Sequence, residues 1–131
     1  MKKLMGILML GLLLVGCTTA KASNQPREVT VTVKEFTVEM SATSVPANTP
    51  VKFTVTNKGK IEHEVIIEKV GDVDKALEDV GEDGEVEHIQ PGETRSVTWT
   101  IKEPGDYQLA CHTPGHFEAG MLQKLSVVAS K

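Results

Sequence analysis

The chain has 131 residues, with 14 lysines and arginines against 18 aspartates and glutamates and a formal net charge of −4. This length is enough for one compact domain with a buried core, and it leaves no room for a second catalytic domain. The acidic balance argues against nucleic acid and against anionic membrane surfaces as partners.

Residues 1–16 have the pattern of an export signal. Lys2 and Lys3 form a basic start, and the apolar run over residues 4–15 is shorter than a comfortable membrane span. The run ends in Leu-Val-Gly-Cys, which resembles the lipobox of bacterial lipoproteins, where cleavage before the cysteine precedes its lipidation. We therefore expect Cys17 to be the lipidated N terminus. The alternative is an unprocessed membrane anchor.

This assignment divides the chain into a signal peptide (1–16), a lipidated cysteine with a flexible tether (17–27) and one domain (28–131). The tether is polar and shows no apolar periodicity, which is typical of a flexible linker. We expect the domain to be exported and held on the periplasmic face of a bacterial membrane by lipid alone.

Short apolar–polar alternations of period two, typical of half-buried strands, recur through the domain. They run over residues 29–33, 51–55, 97–101, 107–111 and 125–129. Turn-forming proline, glycine and asparagine residues separate these segments. We predict an all-β fold, an antiparallel β-sandwich with Trp99 in its core.

One segment departs from this alternation. Between Asp72, which can cap a helix, and Gly81, which can end one, four apolar residues lie at helical spacing: Val73, Ala76, Leu77 and Val80. We predict a short helix over residues 72–80, followed by a polar, acidic loop.

Cys111, His116 and Met121 lie on one short segment with the spacing C-x4-H-x4-M. Thiolate and thioether favour Cu(I), imidazole serves both oxidation states, and two histidines, one cysteine and a weak axial methionine describe a blue-copper site. A second histidine is available at His63, which the alternation of residues 61–67 places on the inward face of a strand. A redox copper protein is therefore the leading hypothesis.

Other interpretations of Cys111 are open. If Cys17 is lipidated, Cys111 is the only thiol of the domain, and a lone thiol in an oxidising compartment is a liability unless a metal occupies it. Taken alone, it could be a buried structural cysteine. The thioether of Met121 disfavours zinc. A binuclear copper site would need a second loop cysteine, and haem attachment would need a C-x-x-C-H motif.

The chain from Glu28 onwards resembles the cupredoxins, the small blue-copper proteins. The resemblance rests on Asn57-x-Gly59, Pro91-Gly92-Glu93-Thr94, Gly105-x-Tyr107 and Cys111-x2-Pro114-Gly115-His116-x3-Gly120-Met121. It implies a Greek-key, cupredoxin-like β-sandwich that holds one copper ion, cycling between Cu(I) and Cu(II). The implied ligands are His63, Cys111 and His116 in equatorial positions and Met121 as the weak axial donor. The spacing of the last motif is more similar to auracyanin, rusticyanin and sulfocyanin than to plastocyanin.

One position departs from this family pattern. Many cupredoxins carry asparagine directly after the first histidine, where its side chain ties that strand to the cysteine loop, and this chain has Glu64. Glu64 is similar to the pattern of some periplasmic copper-tolerance cupredoxins.

The resemblance implies a one-electron carrier outside the cytoplasm rather than an enzyme, so we assign no catalytic residues. His116 would be the electron port, inside an apolar rim of Pro114, Phe117 and Ala119. We expect a monomer whose partner is a redox protein such as a c-type cytochrome or an oxidase. The segment 62–87 has eleven acidic residues against two lysines, and it is either a docking patch for that partner or a solvated face.

Two further functions are open. The protein could sequester copper for tolerance without a dedicated redox partner, using the same four ligands. It could also be a metal-free sandwich that acts in adhesion or assembly.

Three further side chains admit two interpretations each. His112 follows the copper cysteine, where copper nitrite reductases place a ligand of a second, catalytic copper, but it can equally face solvent or stabilise the loop. His88 lies in an acidic region and is more typical of a surface residue than of a ligand. Met40 fits a strand or core position, although an exposed methionine could bind Cu(I).

Overall fold

The computed structural model describes residues 27–130, and this part of the chain forms nine strands and no helix. The strands are β1 (Glu28–Lys34), β2 (Thr37–Met40), β3 (Ser44–Pro46), β4 (Val51–Asn57), β5 (His63–Lys69), β6 (Glu85–Ile89), β7 (Thr94–Trp99), β8 (Gly105–Ala110) and β9 (Leu122–Val128). The predicted signal peptide, Cys17 and nearly all of the tether lie outside the described residues. Within residues 27–130, no helix is long and apolar enough to cross a membrane.

The strands form two sheets, in the orders β2-β1-β4-β7 and β3-β9-β8-β5-β6. This confirms the predicted all-β sandwich. The sheets are mixed, however, because β1 pairs with β4 and β3 pairs with β9 in parallel. The expectation of a purely antiparallel sandwich is wrong for these two pairs. Parallel neighbours are joined by crossover connections rather than tight turns, so no local turn signal predicts them.

The period-two alternation places large apolar side chains between the sheets. Phe53 and Trp99 are both 0% exposed, and their ring centroids lie 4.9 Å apart. The indole N–H of Trp99 donates to the carbonyl of Asp83 at 2.8 Å, which satisfies its one polar atom. Burial of each such side chain contributes about 1.5–3 kcal/mol. The prediction of Trp99 as a core residue is confirmed.

The helix predicted over residues 72–80 is not formed, and the segment runs as turns and bends. Asp74 and Asp79 have φ angles of 56° and 57°, a left-handed backbone that a right-handed helix does not contain. The N–H of Leu77 donates instead to the carbonyl of Ile67 in β5 at 2.9 Å. Hydrogen bonding to the neighbouring strand therefore overrides the helical spacing of the apolar residues.

The five-stranded sheet brings the predicted ligands to one end of the domain. β5 begins at His63, β8 ends at Ala110 and β9 begins at Leu122. Residues 111–121, hereafter the ligand loop, therefore join two adjacent antiparallel strands. Because β8 lies between β5 and β9, the loop and the start of β5 are neighbours.

Candidate metal centre

The ligand loop is closed by its own backbone hydrogen bonds. The N–H of Cys111 donates to the carbonyl of Met121 at 3.1 Å, and the N–H of Met121 donates to the carbonyl of His116 at 3.0 Å. Gly115 and Gly120 have φ angles of 83° and 90°, which residues with a Cβ rarely adopt. The backbone thus links all three predicted ligands of the loop in one compact turn.

Three of the four predicted ligands form a cluster of donor atoms. The Sγ of Cys111 lies 3.5 Å from Nδ1 of His116 and 3.9 Å from Nδ1 of His63, and the three donors all lie within 4.8 Å of one another. Bonds of about 2.3 Å to sulfur and about 2.0 Å to nitrogen keep the sulfur and nitrogen ligands of one ion within about 4.3 Å. Both sulfur–nitrogen distances are therefore compatible with a shared metal ion.

The donors are removed from water. His63 is 1% exposed, Cys111 is 0% exposed and His116 is 6% exposed. Met121, the fourth predicted ligand, is also fully buried, and its carbonyl is hydrogen-bonded to Cys111. Among the residues that the structure describes, His63, Cys111 and His116 are the one group of histidine, cysteine and acidic side chains that could hold a metal ion. Two imidazoles and a thiol beside a methionine suit copper better than magnesium or calcium.

The environment of His63 favours its neutral form. Burial is the largest cause that lowers the pKa of His63, the charge of His116 lowers it further, and Glu35 acts in the opposite direction. Neutral imidazole is the form that binds a metal. While Nδ1 of His63 faces Cys111, its Nε2 is buried and has no hydrogen-bond partner among the described residues.

Asn57 builds the turn that leads into β5. Its Nδ2 donates to the carbonyls of Ile61 and Ile89, each at 2.8 Å, and its Oδ1 accepts from the N–H of Gly59 at 2.7 Å. These three bonds satisfy a fully buried amide. They also fix the entry of the chain into β5, so that the strand begins with His63 facing inward.

Glu64 ties β5 to the ligand loop. Its Oε1 accepts a hydrogen bond from the N–H of His112, the residue after Cys111, at 2.9 Å. The glutamate that replaces the family's usual asparagine therefore makes the same kind of connection between the first histidine's strand and the cysteine loop.

His112 is held by Glu68, outside the donor cluster. Its Nε2 lies 3.1 Å from Oε2 of Glu68, which is 0% exposed, and its ring stacks on Phe117 with centroids 4.5 Å apart. The other oxygen of Glu68 accepts from Nε2 of Gln108 at 2.6 Å. This geometry favours the loop-stabilising interpretation of His112. The sequence analysis missed Glu68 and Gln108, although a charged residue that directly follows the apolar run 65–67 was an available signal.

Phe36 adds to the apolar rim around His116. It is 52% exposed, and its ring centroid lies 5.5 Å from that of His116 in an edge-to-face arrangement. Pro114 and Ala119 are exposed and Phe117 is half-buried, as expected for the predicted rim. Phe36 belongs to the turn between β1 and β2, far from the ligand loop in the chain. Sequence reasoning missed it because no local motif contains it.

His88 and Met40 lie away from the donor cluster. The side chain of His88 is 72% exposed, and its Nδ1 lies 2.8 Å from Oε1 of Glu62. This hydrogen bond raises the pKa of His88 and lowers the pKa of Glu62. Met40 is partly buried and packs against the core. Both placements agree with the simpler interpretations from the sequence.

Residues 6–122 match the cupredoxin-like domain family. The chain belongs to this family. The predicted family is thereby confirmed, and so is the predicted cofactor, because cupredoxins bind one copper ion and the His–Cys–His cluster beside Met121 fits it.

Two relatives with similar sequences are both named copper-resistant cuproprotein CopI. The protein from Rubrivivax gelatinosus is 29% identical over 115 residues, which are 82% of this chain and 68% of the relative. The protein from Vibrio cholerae serotype O1 is 32% identical over 91 residues, which are 64% of this chain and 54% of the relative. The chain therefore spans about half to two thirds of the length of these relatives.

Solved auracyanin structures share the fold. Reduced auracyanin from Roseiflexus castenholzii superposes with a TM-score of 0.64 at 20% identity, covering 79% of this chain and 98% of that protein. Auracyanin B gives a TM-score of 0.61 at 23% identity, covering 81% of this chain and 91% of that protein. These similarities confirm the cupredoxin fold.

Proposed function

We propose that His63, Cys111 and His116 bind one copper ion in a type 1 site, with Met121 as the weak axial donor. In this proposal the protein carries single electrons between redox partners outside the cytoplasm. The observation that supports it most is the buried cluster of two imidazole nitrogens and one thiol sulfur, all within 4.8 Å. Copper bound there supplies a one-electron couple between Cu(II) and Cu(I).

The surrounding residues hold the donors in place independently of an ion. Backbone hydrogen bonds close the ligand loop between Cys111 and Met121, and Glu64 fastens the loop to β5. Because none of these bonds involves a metal, we expect the donors to move little between oxidation states. Burial of the donors limits access of water, which would otherwise compete for a coordination position.

The surface near His116 supports a role as the electron port. His116 keeps 6% exposure, whereas Cys111 and Met121 are fully buried. Phe36 lies edge-to-face against His116, and the predicted rim residues close to His116 in the chain are exposed or half-buried. We propose that a redox protein, such as a c-type cytochrome or an oxidase, docks over this rim, and that the cupredoxin acts as a monomer without catalysis of its own.

The acidic segment 62–87 is a second candidate docking surface. Glu68 is fully buried and Glu64 is half-buried, so these two carboxylates add less to the surface charge than the sequence suggests. If the segment steers a basic partner, the association rate should fall steeply as ionic strength rises. A rate that is independent of salt would assign docking to the apolar rim alone.

We further propose that the protein is exported and anchored through Cys17 on the periplasmic face of a bacterial membrane. The pattern of residues 1–17 supports this location. Intact mass spectrometry of the protein from membranes should show the loss of residues 1–16 and added acyl chains. An unmodified Cys17, or a mature N terminus elsewhere, would contradict the anchor.

Copper tolerance is a second candidate function, and the names of the two CopI relatives favour it. The same donors would then hold copper without a dedicated partner. Two measurements separate the candidates. A reversible reduction potential with fast electron self-exchange supports the carrier, whereas very tight Cu(I) binding and copper-induced expression support tolerance.

The first experiment is to add one equivalent of Cu(II) to the protein and record its visible absorption. We expect an intense blue or green thiolate–copper band, which Cys111→Ser should remove. His88→Ala removes a histidine outside the cluster and should keep the band. The absence of a band in the wild-type protein would contradict a type 1 site and leave a Cu(I)-only binder or a metal-free sandwich.

A further inference from the structure

The turn between β1 and β2 reaches the metal centre. β1 ends at Lys34 and β2 begins at Thr37, so Glu35 and Phe36 form the tip of this hairpin. Phe36 has a φ angle of 64°, a left-handed conformation that is uncommon for an aromatic residue and costs on the order of 1 kcal/mol. Such strain is found where the surrounding structure requires a particular placement. Here the result is that Phe36 lies against His116.

Glu35, the other residue of this tip, is fastened to the segment just before β5. Its Oε1 accepts hydrogen bonds from the N–H groups of Lys60 and of Ile61, the latter at 3.2 Å. The bond from Lys60 is the largest cause that lowers the pKa of Glu35, so the side chain is ionised at neutral pH. A carboxylate is thus held close to the residue where β5 begins, His63.

The ring of His63 has one nitrogen without a partner. Its Nδ1 faces the sulfur of Cys111, whereas its Nε2 is the one buried side-chain nitrogen or oxygen in residues 27–130 that lacks a hydrogen bond. A histidine that binds a metal through Nδ1 carries its proton on Nε2 and usually donates it to a carboxylate, a carbonyl or water. A buried N–H without an acceptor would cost about 1–3 kcal/mol.

Gly59 leaves open the space between this nitrogen and the carboxylate. A Cβ at Gly59 would lie 2.8 Å from Oε1 of Glu35, 2.9 Å from Nε2 of His63 and 3.1 Å from Oδ1 of Asn57. The three polar atoms therefore border one small space that any larger residue would fill. Of these atoms, Oδ1 of Asn57 belongs to a neutral amide that accepts from the N–H of Gly59 at 2.7 Å, and Oε1 of Glu35 is the charged acceptor.

We propose that Glu35 is a positioning residue of the copper site, and that its carboxylate accepts the hydrogen bond from Nε2–H of His63 when copper is bound to Nδ1. This inference rests on the proposed function, because it requires His63 to be a copper ligand. The hydrogen bond fixes the tautomer and the orientation of the ring and makes the imidazole a stronger donor. The negative charge of Glu35 favours Cu(II) over Cu(I). The tip of the β1–β2 hairpin thus supports both histidines, His63 through Glu35 and His116 through Phe36.

The test compares Glu35→Gln and Glu35→Ala with Glu39→Gln. Glu39 is an exposed carboxylate on the neighbouring strand β2, paired with Lys34 at 3.1 Å, and its substitution makes the same change in charge. We expect about a tenfold loss of Cu(II) affinity in Glu35→Ala and a smaller loss in Glu35→Gln, which keeps a carbonyl acceptor. Both Glu35 variants should have a raised reduction potential, and Glu39→Gln should leave affinity and potential near the wild-type values.

A second measurement reports on the hydrogen bond itself. In the Cu(I) protein, nitrogen NMR should show Nε2–H of His63 exchanging slowly with water in the wild type and in Glu39→Gln. Exchange at this ring proton should be at least about tenfold faster in Glu35→Ala, whereas a loss of general stability would speed exchange at many protected sites together. Thermal unfolding of the metal-free variants measures stability separately.

The outcomes distinguish this inference from the proposed function. If the wild-type protein binds no copper with a thiolate band, both are overturned. If the band is normal but Glu35→Ala matches Glu39→Gln in ring-proton exchange, Cu(II) affinity and potential, only the role of Glu35 is overturned.

Discussion

The two sides of the donor cluster are built in different ways. The ligand loop supplies Cys111 and His116 from one continuous segment, closed by its own backbone hydrogen bonds. His63 comes from the start of β5, and its surroundings are collected from Glu35 in the β1–β2 turn and from Asn57 and Gly59 at the end of β4 and just beyond it. One side is therefore local in the chain, and the other depends on the assembly of both sheets.

This difference predicts which side of the donor cluster is sensitive to substitutions elsewhere in the domain. The ligand loop is short and bonded to itself, so we expect its geometry to be the less sensitive of the two to changes elsewhere in the domain. The side of His63 depends on contacts that cross between sheets and turns, so substitutions far from the copper can alter it. We therefore expect the properties of the copper to respond to residues such as Glu35, which belong to no copper-binding motif.

The strongest test of this comparison removes the ligand that the assembled side supplies. His63→Ala should lower Cu(II) affinity by more than about 100-fold, because a direct donor is lost. Substitution of a residue that only hydrogen-bonds to a ligand typically lowers metal affinity by at most about 100-fold. The affinity can be measured by competition with a chelator of known strength. His88→Ala is the matched control and should bind copper as the wild type does. An unchanged affinity in His63→Ala would show that the ligand loop alone forms the site.

The next largest effect is expected at Glu68, a buried residue of β5 that is hydrogen-bonded to His112 in the ligand loop and to Gln108 in β8. Glu68→Ala removes the partner of His112 and Gln108, and each buried polar group left unpaired costs about 1–3 kcal/mol. Urea denaturation of the metal-free protein should show this loss in the free energy of unfolding. Glu68→Gln keeps an acceptor and should lose less. Equal free energies of unfolding for Glu68→Ala and the wild type would mean that the hydrogen bonds of Glu68 do not stabilise the loop.

The fold and the local side of the site could be predicted from the sequence. Period-two alternation predicted six of the nine strands and the core position of Trp99, because burial on one face of a sheet is a local property of the chain, and it missed β2, β3 and β6. The spacing of Cys111, His116 and Met121 indicated the ligand loop, because these three residues lie on one continuous segment of the chain.

The rest depends on contacts between distant segments. The parallel pairing of β1 with β4 and the strand-bonded course of residues 72–80 follow from hydrogen bonds that no local pattern encodes. Glu35, Phe36 and Glu68 look like ordinary residues of a turn or a strand in the sequence. Only the assembled sheets place them beside His63, His116 and His112.

A smaller effect is expected at Glu64, whose one hydrogen bond connects β5 to the loop. Glu64→Ala removes the acceptor of the N–H of His112, and such bonds contribute about 0.5–1.5 kcal/mol. Glu62→Ala is the matched control, because Glu62 is exposed and its contacts lie on the outer surface. Denaturant unfolding should show a larger loss of stability for Glu64→Ala. A larger loss of stability in Glu62→Ala than in Glu64→Ala would mean that the hydrogen bond of Glu64 is not the main connection between β5 and the loop.

The smallest effect is expected at His88, an exposed histidine that lies outside the donor cluster. Ile89 pairs with His63 across β5 and β6, and a register irregularity between His63 and Val65 leaves His88 on the outer side with a φ angle of 52°. Its hydrogen bond to Glu62 raises its pKa. The pair therefore stabilises the protein fully between about pH 4.5 and 6.5, and this stabilisation is lost as the pH rises through the raised pKa of His88 or falls through the lowered pKa of Glu62.

Both side chains of this pair are exposed, so the stability change should be small and should weaken with salt. The direct measurement is an NMR titration of His88, with Glu62→Gln as the comparison. We expect the pKa of His88 to fall towards its ordinary value in that variant, while copper binding stays unchanged. If copper binding changes with Glu62→Gln, the outer surface of β6 is coupled to His63 through Ile89, and the assembled side of the site extends further from the copper than its hydrogen bonds indicate.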